Sequence, residues 1–250
     1  MWAYAAVAAV ACLALVLVGL GVFGGADAPS SDDGGSGSTV AWSQAADLVG
    51  DGRVHTVTGP VTSMLRSGDS VYLSLGRPYP DPQRFTVKLA APSGSVASAD
   101  FAQFLGAEVE ATGRIVSIGD GAGVELRAPA DITTTRAGPP VIDWSEAKNH
   151  RGDEVVVTGV LLRTRYRTDR PGETTYLDFN RRYPNEDRFT IKIAPEDRAR
   201  FLDLMGMTGF RDWAGKTVWI RGLIERADQD TTVFVPQVTA DPLTDIWVGD

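Results

Sequence analysis

The sequence predicts an all-β fold with short helices, built twice in tandem, and three observations carry that prediction. The stretch YLSLGRPYPDPQRFTVKL at residues 72–89 returns at 176–193 as YLDFNRRYPNEDRFTIKI, keeping Tyr, Leu, Arg, Tyr, Pro, Arg, Phe, Thr and Lys without a gap, nine of eighteen positions. Apolar and polar residues alternate through both copies, which is the period of a strand. Glycine interrupts the apolar runs at matching places, Gly59 and Gly159, then Gly113 and Gly222, where a strand bends or bulges so that a small sheet can curl.

The N-terminus is a different material. Trp2 to Phe23 is apolar throughout and uncharged, long enough at about 1.5 Å per residue to cross a hydrocarbon layer of about 30 Å. It reads as a transmembrane helix or signal anchor over residues 1–24, or as a signal sequence whose removal would release a secreted protein. No Lys or Arg precedes it, Asp27, Asp32 and Asp33 follow it, and Pro29 disfavours cleavage after Ala28. A retained single-pass anchor with the C-terminal side outside the cytoplasm is therefore preferred. Residues 25–39, rich in Gly, Ser and Asp, predict a flexible linker. The only cysteine, Cys12, lies in the apolar segment, so the soluble part relies on no disulfide. Cys12 reads as a small helix residue, with lipid attachment as the alternative.

Unit 1 covers residues 40–135 and unit 2 covers 141–246. Each opens on a Trp-Ser-x-Ala run, with Ser43 and Ser145 at the expected N-cap of a short helix. A Val-rich strand follows, then the two strands of the repeated stretch. APEDRARFLDLM in unit 2 predicts a helix that puts Phe201, Leu204 and Met205 on one face. The matching SADFAQFLG of unit 1 is shorter. EVEATGRIVSI and TVWIRGLIERA predict fourth strands, while GVELRAPADI and TVFVPQVTA predict fifth ones.

Trp-Ser-x-Ala, Val-x-Gly, Tyr-Leu-x-Phe-x-x-x-Tyr-Pro and Phe-Thr-x-x-Ile together resemble the OB-fold domains of exported bacterial proteins, some of which accompany secreted thermonuclease-like nucleases. The resemblance covers nearly all of the soluble chain and implies two tandem five-stranded barrels, each with a helix between its third and fourth strands. It implies little about the ligand, because the fold hosts many.

Alternation divides the repeated stretch into two faces. Leu73, Leu75, Phe85, Val87 and Leu89, matched by Leu177, Phe179, Phe189, Ile191 and Ile193, face the core. The opposite face carries Tyr72, Arg84 and Lys88 in unit 1 and Tyr176, Arg188 and Lys192 in unit 2. The outer surface of strands two and three is the usual OB-fold ligand platform. A ring for stacking beside cations suits a single-stranded nucleic acid, or another polyanion; a solvated strand face is the competing reading. Only unit 2 adds Arg163, Arg165 and Arg167 on one side of its first strand, with Arg170, Arg181 and Arg182 near. This makes a basic stripe if the neighbouring carboxylates of Asp169, Glu173, Asp178, Glu186 and Asp187 leave it unneutralised. The expected binding face is therefore chiefly that of unit 2. Arg77 and Arg181 are expected to hold the Tyr-Pro loops, and Trp219 to face outward.

The formal charge of -8 disfavours bulk attraction to nucleic acid or anionic lipid and confines any anion site to a local patch. His55 and His150 have no metal-ligand spacing, and neither a phosphate loop nor a nucleophile elbow occurs. The expectation is a binding protein without catalysis, metal or cofactor. A nucleic-acid or polyanion ligand is the first reading. A protein-interaction or envelope-assembly module with an envelope protein partner is the second.

Overall fold

Every second residue of the first long strand is buried, and that alternation sets up the first sheet: β1 (Val54–Ser67) buries His55, Val57 and Val61. A bulge between Val61 and Ser63 then shifts the register, which puts Met64 into the core and turns Ser63 and Leu65 to the outer face, opposite Ser74 and Tyr72. The chain is seen in a computed structural model that describes residues 36–67, 69–90, 99–165, 172–204, 209–227, 233–240 and 246–248. The apolar segment 2–23, Cys12, most of the expected linker, and Arg167, Asp169 and Arg170 lie outside the described residues.

β2 (Ser70–Leu75), β3 (Phe85–Ala90), α1 (Ala99–Ala102), β4 (Glu108–Arg114) and β5 (Gly121–Leu126) complete the first repeat. The second repeat has β6 (Glu154–Arg165), β7 (Thr175–Phe179), β8 (Phe189–Ile193), α2 (Arg198–Leu204), β9 (Thr217–Leu223) and β10 (Pro236–Thr239). Both sheets run in the order five-three-two-one-four, the third and fifth strands parallel and the other pairs antiparallel. The bulge recurs in β6, between Leu161 and Arg163.

The expected closed barrels do not form. Each sheet has eight strands, and the edges that would pair with each other are taken by added strands. Ile132–Arg136 pairs with β4 and Val116–Ile118 with β5; Ile246–Val248 pairs with β9 and Glu225–Arg226 with β10. Ser36–Ala41 and Val141–Asp143 add parallel strands to β1 and β6, so the chain enters the sheet earlier than its Gly-Ser composition suggests. Across the unpaired seam, side chains pack in place of a ladder. A Cβ at Gly113 would lie 2.3 Å from Val124, and one at Gly222 would lie 2.4 Å from Val238, so these glycines admit the fifth-strand valines rather than marking bulges.

The opening helices form as short 3-10 segments, Trp42–Leu48 and Trp144–His150, but their caps are Ala41 and Asp143. Asp143 accepts from the amide of Ser145, which therefore lies inside the helix. Trp42 and Trp144 pack onto bare strand backbone. A Cβ at Gly59 would meet Trp42 at 2.6 Å, and one at Gly159 would meet Trp144 at 3.0 Å.

The two repeats share apolar packing. Trp219 is buried, not outward: it stacks on Trp247 at 4.7 Å between centroids, and Trp247 meets Phe101 edge-on at 6.0 Å. Both tryptophans and Val156 belong to the core of the first repeat. The second core centres on Trp213, Phe201 and Phe210, which pack ring against ring. Residues 34–250 thus form one compact unit.

Candidate functional site

The outer face of β1, β2 and β3 builds the site. Register places Leu65 beside Tyr72, Ser63 beside Ser74, Ser74 beside Thr86 and Tyr72 beside Lys88. The loop between β2 and β3 folds back over this face: the Tyr79 amide donates to Ser63 Oγ at 3.1 Å. Between loop and sheet lies a pocket of about 480 Å³, lined by Leu65, Tyr72, Ser74, Tyr79, Arg84, Thr86 and Lys88, with Ile118 and Glu125 from the far edge. That volume lies within the range of about 300–1,000 Å³ usual for small-molecule sites.

The polar groups of the pocket differ in their freedom. Arg84 is 7% exposed and donates to the Asp81 carbonyl at 2.7 Å and to Asp120 Oδ1 at 3.0 Å, with its guanidinium 4.9 Å from the Tyr79 ring centroid. It clamps the loop. Lys88 Nζ donates to Glu125 Oε1 at 2.8 Å, and this hydrogen bond, reinforced by the carboxylate charge, raises the lysine above its ordinary pKa, so it remains an ammonium group. Both partners are partly in solvent, so the pair is exchangeable. Thr86 is 3% exposed and its Oγ1 has no hydrogen-bond partner among the described residues.

The second repeat carries the same frame with different contents. Arg188, expected outward, is 1% exposed and donates to the Asn185 carbonyl at 2.8 Å, beneath Tyr183 at 5.0 Å. The loop-clamping role expected of Arg77 and Arg181 thus falls in both repeats to Arg84 and Arg188. Arg77 instead reaches the Asp81 carboxylate at 3.3 Å, while Arg181 is exposed. Arg165 does not stand free in a stripe: it meets the fully buried Asp178 through two contacts, Nη2 to Oδ1 at 2.9 Å and Nε to Oδ2 at 2.8 Å. Its guanidinium lies 5.0 Å from the Tyr176 ring centroid and 4.6 Å from that of Tyr183, and Thr190 Oγ1 donates to Asp178 Oδ1 at 3.2 Å. Arg163 and Arg182 are exposed, while Tyr176 and Lys192 are half-buried. Lys148, which sequence reasoning left aside, donates to Asp187 at 2.7 Å.

Sequence reasoning found the face but not the pocket. Ser74, Tyr79 and Thr86 were not singled out as site residues, yet all three line the pocket. Their convergence depends on the loop folding back, which one feature hinted at: the retention of both Tyr-Pro and the Arg five residues later in each copy. Among the described residues, no group of three or more His, Cys, Asp or Glu is placed to hold a metal ion.

No family model and no curated protein matches the sequence. Among solved structures, a murine DNA binding protein bound with double-stranded DNA shares 9% identity at a TM-score of 0.28, covering 77% of this chain and 94% of that one. The Ifi202 HINa domain in complex with a 20bp dsDNA shares 9% at a TM-score of 0.30, covering 77% and 95%. A chain named as an aspartyl-tRNA synthetase from Leishmania major Friedlin shares 15% at 0.30, over 43% of this chain and 20% of that one. Superpositions this loose carry no argument about fold or ligand.

Proposed function

We propose that the chain is a non-catalytic binding protein with two open OB-type units, tethered outside the cytoplasm by residues 2–23, whose ligand is a single-stranded nucleic acid. The observation that supports this is the pocket on the outer face of β1 to β3, where Tyr72 and Tyr79 meet Lys88 on the platform that OB-type folds use for oligonucleotides. The first repeat carries the principal site in this reading, and Arg163, Arg181 and Arg182 of the second are exposed cations. Lys88 exchanges Glu125 for a phosphate when ligand arrives, at little cost for so exposed a pair. Phosphate contacts make the affinity fall as salt rises.

Burial of Trp219 and Trp247 leaves no exposed aromatic patch at those residues for the competing protein-interaction reading. Fluorescence anisotropy of labelled oligonucleotides with the full chain in detergent tests the proposal. The expected result is binding at low salt that weakens with added salt and on Lys88→Glu. Absence of binding at low salt would refute it.

A further inference from the structure

The second repeat shows what the pocket of the first is shaped to receive. Register makes Leu65 the counterpart of Arg165, since each pairs with the tyrosine of the next strand, Tyr72 or Tyr176. Ser74 likewise corresponds to Asp178 and Gly123 to Gln237, through their pairings with Thr86 and Thr190. Where the first repeat has a small or apolar residue, the second has a larger polar one. Arg165 brings a flat guanidinium against the two conserved-position tyrosine rings, Asp178 brings an acceptor to the Thr190 hydroxyl, and the buried Gln237 adds bulk on the same face. The second repeat fills its own slot.

In the first repeat those groups are absent, while the parts that received them remain. Tyr72 and Tyr79 both line the pocket, and Thr86 stands at the position where Thr190 meets the Asp178 carboxylate. We infer that the first repeat holds one flat, uncharged heteroaromatic ring against Tyr72 and Tyr79, and that the second repeat is closed to such a ring. A cationic flat group fits poorly: the Asp178 carboxylate is replaced by Ser74, and Glu125, the one carboxylate lining the pocket, is engaged by Lys88 beside Arg84. A nucleobase has the required chemistry, as the terminal group of a mononucleotide or as one base of a strand. This rests on the nucleic-acid reading above and narrows it to one ring in one repeat.

The test compares four probes on the full chain by equilibrium titration: a pyrimidine mononucleotide, ribose phosphate, a pyrimidine oligonucleotide, and the same oligonucleotide with abasic sites. The expected result is that base-bearing probes bind about tenfold or more tighter than their baseless counterparts, the scale of losing one stacked base. Leu65→Arg with Ser74→Asp, which gives the first repeat the contents of the second, should abolish that preference. Equal binding of oligonucleotides with and without bases overturns the slot while leaving strand binding intact. A base preference for the mononucleotide with no strand binding supports the slot and overturns the strand reading. No binding of any probe overturns both.

Discussion

In the first repeat the outer face of β1 to β3 encloses a pocket beneath Tyr79; in the second, the same positions are filled by Arg165 locked onto Asp178. The frame around both is the same. Arg84 and Arg188 clamp their loops through carbonyls at matching positions, and Tyr79 and Tyr183 lie over those guanidiniums. The difference teaches that duplication retained the scaffold of a binding face twice, while a few side chains at register-equivalent places determine whether the face is open. The more basic copy in sequence is the more self-satisfied one in structure.

The sharpest break in this comparison concerns the joint between the repeats. Trp247→Ala removes the ring that stacks on Trp219 and meets Phe101, and should destabilise the protein by about 4–5 kcal/mol, measured by denaturant titration. Loss of stability confined to one repeat, seen as a second transition, would contradict the shared core. Next, Asp178→Ser alone strands the Arg165 charge against two rings and should cost about 3–4 kcal/mol. Adding Arg165→Leu should recover most of that, because the second repeat then has the residues of the first. A double variant as unstable as the single would mean that the ion pair is needed for more than filling space.

Arg188→Met, which removes the buried loop clamp, should cost about 2–3 kcal/mol by thermal unfolding. Arg84→Met should cost less, since Arg84 is slightly more exposed and its partner Asp120 lies largely in solvent. The smallest effect is a pH dependence found in the first repeat. The Arg53 amide and then His55 hold the Asp51 carboxyl below its ordinary pKa. A lowered folded pKa gives stability that is present above the unfolded value, about 3.9, and is lost as pH falls through the folded one. His55→Val, the kind of residue that the second repeat buries at Val155, should lower the melting temperature slightly at pH 7 and shrink the acid loss. An undiminished acid loss would remove His55 from that account.

Legibility in the sequence followed the range of the interactions. Strand alternation, the repeat, the strand order and the inward residues could be read because each depends on near neighbours. The closed barrel was expected from the OB-fold resemblance, yet short segments such as Val116–Ile118 and Ile132–Arg136 take the edges, and a strand of a few residues leaves little periodic signal. Gly59 and Gly159 read as bends, but what they accommodate is an indole from the preceding helix. Trp219 reads as outward from β9, but the side chain is buried in the core of the first repeat. The outer tyrosines and cations were identified as a face, whereas the division between them was not. Arg188 and Arg165 look like ligand contacts in sequence because charge does not reveal its partner, and the partners, a loop carbonyl and a strand carboxylate, are set by folding.

Fluorine NMR of the full chain carrying fluorotyrosine, titrated with a pyrimidine oligonucleotide, tests the central claim most directly. Resonances of Tyr72 and Tyr79 should shift together and saturate while those of Tyr176 and Tyr183 stay in place. Shifts at Tyr176 and Tyr183 with none at Tyr72 and Tyr79 would contradict the assignment of the open site to the first repeat.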